Sequence, residues 1–193
     1  MPFNVNSFRS KMKMDGARPN LFEVYLSFPN VANPDAADAT DQIRFKAKSA
    51  QLPGSTIGIV PVYYFGREMK FAGNRTFTDW TIQIINDEDF KIRDALERWM
   101  NSINKHEGNV RDLNTVGPVS YTGEGLVVQY GKDGNTLPIK TYDFVGMFPV
   151  DIAPIDLDWG SNDSIEEFSV TFAYQYWTAR TTDGFAPKIT PSA

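Results

Sequence analysis

Cysteine is absent from the 193 residues, and histidine occurs once, at His106. The first absence excludes disulfides, thiolate metal sites and a cysteine nucleophile, and leaves any core to stand without staples. The second excludes a histidine pair as metal ligands and makes a Ser-His-Asp triad hang on one residue that reads as a lone surface histidine. Cations are in deficit as well: 19 Lys and Arg face 24 Asp and Glu, a formal charge of −5. That balance argues against a protein that grips nucleic acid, although an acidic surface can face DNA without holding it. No apolar run reaches the roughly 18 residues of a membrane span, and the N-terminus lacks a signal-peptide pattern, so neither membrane insertion nor ordinary secretion is expected.

What the chain does have is one stretch, Phe71 to Asn104, in which the apolar period changes. From Asp79 to Ile85, Trp80, Ile82 and Ile84 alternate with Thr81, Gln83 and Ile85, the period of a strand with one buried face. Ile92, Ala95, Leu96, Trp99, Met100 and Ile103 then fall at helical spacing. Asn86 reads as the N-cap, with Asp87, Glu88 and Asp89 in a first turn where the helix dipole favours carboxylates, so a helix is expected over 87–104. An amphipathic helix must cover something apolar, and a sheet face is the large candidate.

The same stretch carries a resemblance. GNRTFTDW at Gly73 to Trp80, followed by the strand and IINDEDF, resembles the central block of the tail tube proteins of contractile-tailed bacteriophages. ARPNLFEVYL at Ala17 to Leu26 is similar to that family's first strand, and KAKSAQLPGSTIGIVPV to its next strand and loop. LDWGSNDSIEEFSVTFAYQYW at Leu157 to Trp177 resembles its last strand. The matching blocks run in order over 17–177.

Around this frame the chain reads as mainly β with one α-helix: two antiparallel sheets packed as a sandwich or partial barrel, residues 17–177, with an N-terminal arm over 1–16 and a C-terminal extension over 178–193. Leu21 to Phe28 reads as a first strand, 29–42 as a turn-rich acidic loop, and Ile43 to Ala47 as a second strand. Tyr121 to Tyr130 and Ile139 to Phe148 form a pair joined by GKDGNTLP, where Asp133 and Gly134 supply turn chemistry. Ile165 to Trp177 alternates Phe168, Val170, Phe172, Tyr174 and Tyr176 against Ser169, Thr171, Ala173 and Gln175, a strand whose second face meets water. Pro187 and Pro191 make the extension an irregular strap.

No residue reads as catalytic, as cofactor-binding or as a metal ligand. Asp156 to Glu167 places acids at calcium-loop positions 1, 3 and 12, but the turn glycine is displaced, so a plain loop is expected. Gly123 and Gly125 lack a P-loop lysine. The candidate contact residues are Leu52, Ile57, Ile59, Val60, Val62, Tyr63, Tyr64 and Phe65, in a segment read as a loop. They either cap the sheet's own core or meet another subunit, as apolar patches on loops do. Gly73, Arg75, Phe77, Asp79 and Trp80, with Asp158 and Trp159, form the signature block, and Arg75, Asp79 and Trp80 are expected to fix a strand entry through a charge pair and core packing.

The resemblance implies a structural virion protein whose subunits form hexameric rings stacked into the inner tube of a contractile tail. Its partners would be further copies of itself, the tail sheath protein, the tape-measure protein in the lumen, a baseplate tube initiator and a tail terminator. DNA would pass through without specific binding, and assembly would take place in the host cytoplasm. A tube-initiating baseplate protein, or the tube subunit of a related injection or secretion system, is the alternative within the resemblance. A monomeric binding module or hydrolase is the distant one, and would require a cleft lined by aromatic or carboxylate side chains.

Overall fold

The computed structural model describes residues 4–12, 16–29, 36–111, 117–132 and 138–181. In chain order the elements are α1 (Val5–Lys11), β1 (Phe22–Ser27), α2 (Ala36–Lys46), β2 (Ala47–Ala50), β3 (Ser55–Tyr64), β4 (Arg67–Phe77), β5 (Trp80–Ile85), α3 (Lys91–Ile103), α4 (Pro118–Tyr121), β6 (Gly123–Tyr130), β7 (Pro138–Ile152), β8 (Glu167–Ala173) and β9 (Tyr176–Thr181). Among the described residues no helix is long and apolar enough to cross a membrane.

Seven strands form an antiparallel sheet in the order β1-β6-β7-β8-β5-β2, with β9 also on β7. The long strand β7 carries the bend. Its first part pairs with β6 and β9, as in Phe144 opposite Gly125 and Trp177, and its last part pairs with β8, as in Ile152 opposite Val170. Gly146 sits between the two parts at φ +64°, a conformation that glycine adopts without steric cost. A second irregularity between Pro149 and Asp151 tightens the curvature, as bulges do. The result is two packed antiparallel layers sharing β7 that do not close into a barrel.

The inner face is built from the predicted alternation: Trp80, Ile82 and Ile84 of β5 and Phe168, Val170 and Phe172 of β8 are all buried. Helix α3 lies against this face, burying Ile92, Ala95, Leu96 and Trp99. Trp99 meets Phe28 and Phe172, and its Nε1 donates to the Tyr121 carbonyl at 2.6 Å, so the largest core side chain has no unpaired polar atom. Trp80 stacks on Phe144 with centroids 4.5 Å apart and donates to the Gln51 carbonyl at 2.7 Å.

Four expectations need correction. The helix starts at Lys91 and not at residue 87. Asn86 is not its cap, because its backbone N–H and its side chain both donate to Glu166. Asp87 to Phe90 instead make a turn that ends with Phe90 left-handed, which breaks a helical path, and Asp94 becomes the acid of the first turn. Residues 36–46, expected as the end of a loop and a strand, are α2. Ala39 and Ile43, four apart, are the buried pair, while Phe45, which suggested the alternation, stays exposed. Arg44 pairs with Glu23 of β1 and Lys46 with Asp87, which fastens α2 beside the edge of the sheet.

The third correction concerns the segment read as a loop around Ile57 to Phe65, which is strand β3 paired with β4 as a hairpin of its own. The fourth concerns the last strand, which is interrupted at Tyr174 and Gln175. The Gln175 N–H still bonds the Val145 carbonyl, and β9 carries the pairing on to Thr181, inside the segment expected to be an irregular strap. Pro187, Pro191, the Asp133-Gly134 turn and residues 30–35 of the expected loop lie outside the described residues.

Candidate assembly surfaces

The hairpin β3–β4 owes its form to its composition. Thr56, Ile57, Ile59, Val60, Val62, Tyr63 and Tyr64 are β-branched, aromatic or both-sided strand formers. Tyr64 is opposite Arg67, so Phe65 and Gly66 make a two-residue turn, and both have positive φ, 45° and 74°. That is type I′ geometry, which matches the twist of paired strands. Gly73 lies where a side chain would press on the Gly58 backbone at 3.0 Å, a tight approach that favours glycine at the irregularity between Ile57 and Ile59.

Side chains directly opposite each other share a face. Val60 faces Phe71 and Val62 faces Met69, so one face of the hairpin is an apolar ladder that ends in Tyr64 opposite Arg67. None of it is buried in the subunit: Val60, Val62, Met69 and Phe71 are each about half exposed, and Phe65 at the tip is 91% exposed. The candidate contact residues Ile57, Ile59, Val60, Val62, Tyr63, Tyr64 and Phe65 therefore sit together on one projecting arm, with Leu52 exposed just before its base. They do not cap the sheet's core. Met69 and Phe71 belong with them. Their signal is the alternation of Arg67, Met69 and Phe71 with Glu68 and Lys70.

The signature block is not one cluster. Phe77 and Trp80 clamp the arm's base: Phe77 packs edge-on against Trp177 and tilted against Tyr174, and Trp177 Nε1 donates to the Gly54 carbonyl. Arg75 and Asp79 are exposed and form no ion pair with each other, so the expected charge pair at the strand entry is absent and core packing of Trp80 does that work. Asp158 and Trp159 lie elsewhere, in the loop between β7 and β8. Asp158 accepts from the Gly160 N–H at 3.1 Å, and Trp159 is fully exposed.

Two further surfaces complete the description. The sheet face opposite the helices is polar where β5 meets β8, with Thr81 and Thr171 hydroxyls 3.1 Å apart and Gln83 opposite Ser169. Near β1 it holds a polar cluster in which the Glu23 carboxylate accepts from Tyr25 at 2.6 Å and Tyr130 at 2.9 Å and faces Arg44. Burial pushes the Glu23 carboxyl up, but the two tyrosine hydrogen bonds and the Arg44 charge together hold it below the usual carboxylate value. The Asp143–Arg180 pair on the same face is partly buried, and desolvation outweighs the arginine so that Asp143 is pushed up. Among the described residues no group of three or more His, Asp or Glu side chains is arranged to hold a metal ion.

A family model described as phage tail tube protein matches residues 17–180. The chain belongs to the phage tail tube protein family. Tail tube protein gp19 of Enterobacteria phage T4 is 34% identical over 163 residues, 84% of this chain and 91% of its own length. A tail tube protein of Serratia phage KSP90 is 30% identical over 172 residues, 88% of this chain and 93% of its own. The fold is shared more widely. A chain of the anti-feeding prophage baseplate aligns over 88% of this tail tube protein and 98% of itself, with a TM-score of 0.60 at 16% identity. A chain of the sheath-tube complex of an extracellular contractile injection system aligns over 93% and 99%, with a TM-score of 0.58 at 15% identity. This tail tube protein is thus a structural component of a contractile phage tail, and its place is the virion.

Proposed function

We propose that this tail tube protein polymerises as hexameric rings that stack into the inner tube of the tail, a conduit through which DNA is ejected into the host. The observation that carries this reading is the exposed apolar arm on a subunit whose own core is already complete. A ladder of half-exposed Val, Met, Phe and Tyr on a two-stranded hairpin is unstable and aggregation-prone in isolation, and is stabilised when another surface covers it. The sheet is also open at β1 and β2, and pairing of these edges between subunits removes the hazard of unpaired backbone groups.

The polar face with Thr81, Gln83, Ser169 and Thr171 is suited to line the channel. Neutral hydroxyl and amide groups with an acidic net charge let a phosphate backbone slide, where clustered Lys and Arg would retain it. In this role the sheath protein surrounds the tube, the tape-measure protein occupies the lumen, and a baseplate initiator and a terminator close the ends, with assembly in the host cytoplasm. The work lies in subunit contacts, and no catalytic residue is required.

Negative-stain microscopy with sedimentation over a concentration series tests the proposal. Hollow tubes of stacked rings are expected from the whole chain, and a soluble, folded monomer from a chain whose residues 56–76 are replaced by a short Gly-Ser turn. Isolated rings that never stack would move the assignment to a tube-initiating baseplate protein. Tubes formed equally well without the arm would refute the role given to it.

A further inference from the structure

The arm of charge and apolar surface on one side of this subunit has a counterpart on another. Residues 55–77 carry Arg67, Lys70 and Arg75 against a single acid, Glu68. The β7–β8 connection, residues 153–166, carries Asp156, Asp158, Asp163 and Glu166 and no cation. Ile155 packs against the core, but three large apolar side chains of this connection are turned outward: Leu157 is 81% exposed, Ile165 72%, and Trp159 entirely. These residues border an open depression of about 670 Å³ with Leu157, Trp159 and Ile165 among the acids on its walls. An exposed Trp and Leu ringed by carboxylates is a surface for an apolar group that arrives with positive charge.

The two surfaces sit at opposite ends of the β5–β8 ribbon. The arm's base is clamped at the Trp80 and Trp177 end, whereas the acidic loop enters β8 beside Ile85 and Asn86. At the strand rise of about 3.4 Å per residue, β5 alone separates them by roughly 17 Å. Both stay exposed within the subunit, so neither satisfies the other in the same chain. Complementary patches at opposite ends of one molecule give a heterologous, head-to-tail contact, the kind that repeats without limit or closes into a ring.

We propose that the acidic 153–166 loop of one subunit is the docking site for the hairpin arm of a second copy, with Phe65 and Tyr64 entering between Leu157, Trp159 and Ile165, and Arg67 and Lys70 meeting Asp156 and Asp158. This rests on the tube assignment and specifies what receives the arm.

Charge exchange tests it. One chain carries R67E and K70E, a second carries D156K and D158K; all four positions are exposed or lie in exposed segments, and circular dichroism verifies that each chain is folded. Each alone is expected to need a concentration about tenfold or more above wild type to assemble, because like charges then face each other. An equal mixture is expected to assemble close to the wild-type concentration, since each arm finds an opposite loop on the other chain, and the deficit of either alone shrinks as salt screens the repulsion. The cysteine-free background gives an independent readout: a chain with E68C and S161C should form covalent multimers on oxidation of assembled tubes, and the single-cysteine chains should stop at dimers. Charge-reversed chains that assemble like wild type, a mixture that fails to recover, or tubes without the cross-linked ladder would each overturn the docking site while leaving the tube intact. A wild-type chain that forms no tube under any condition would refute the tube assignment and this contact with it.

Discussion

Phe65 is left exposed at the tip of the arm, where it meets its own subunit edge-on at the Tyr64 ring, centroids 4.6 Å apart. It is the first central residue of a type I′ turn, at φ 45°, where Asn or Gly is favoured and a bulky side chain is a steric outlier. A left-handed conformation costs an ordinary L-residue roughly 1–2 kcal/mol, and asparagine tolerates it better. Phe65→Asn should therefore relieve about 0.5–1 kcal/mol of strain, which at 1.4 kcal/mol per factor of ten is about a two- to fivefold smaller opening constant for the hairpin. Hydrogen exchange of the β3 and β4 amides, measured below the assembly concentration, should slow by that factor. Assembly should move the other way. Burying a Phe side chain is worth about 1.5–3 kcal/mol, so its loss from a subunit contact should raise the critical concentration by roughly ten- to a hundredfold. A more protected monomer that polymerises less well is the signature of a residue retained for contact at the expense of local comfort. If the variant assembled at the wild-type concentration, or its hairpin exchanged faster, the explanation offered for Phe65 would be wrong.

Trp99→Ala is expected to cost about 3–5 kcal/mol, because it empties the space between α3 and the sheet and leaves the Tyr121 carbonyl without its donor; Trp159→Ala should stay within about 0.5 kcal/mol of wild type, and denaturant midpoints on the two variants separate these outcomes. Gly123→Ala should cost about 1–3 kcal/mol, since a Cβ there would collide with the Ser27 carbonyl and lie 2.8 Å from Trp99 Cη2; an unchanged melting temperature would contradict the packing described. Glu23 has a folded-state pKa below its unfolded value, so its contribution is present above the ordinary carboxylate range and is lost as pH falls through the depressed value. Glu23→Gln should accordingly be less stable than wild type at pH 7, and the two unfolding curves should converge at low pH; a gap that does not vary with pH would assign Glu23 no electrostatic role.

The elements legible in the sequence were those whose burial is periodic within a few residues. Trp80, Ile82 and Ile84, and Ile92 through Trp99, each bury one side against the same core, so local period and tertiary placement agree. Helix α2 was hidden because, among its described side chains, the buried stripe is Ala39 and Ile43 alone, and the chance alternation of Ile43, Phe45 and Ala47 outweighed a pair four residues apart. The start of α3 was misplaced for a different reason: Asn86 has the right chemistry for a cap, but Glu166, eighty residues away, takes its hydrogen bonds, and nothing local announces that competition.

The arm shows where local reasoning and assembly part company. The stretch from Thr56 to Tyr64, read as a loop, is a strand, and a stretch this apolar normally implies a core, which the subunit does not offer it. The same holds for Leu157, Trp159 and Ile165, whose loop is too irregular to show any period. Both segments break the rule that large apolar side chains are covered, and both do so within one folded chain that has no lack of core. A monomer selected only for its own stability would shed them. Their joint persistence on opposite ends of the β5–β8 ribbon makes sense if the unit that is stabilised is the polymer, in which each subunit supplies the surface its neighbour lacks.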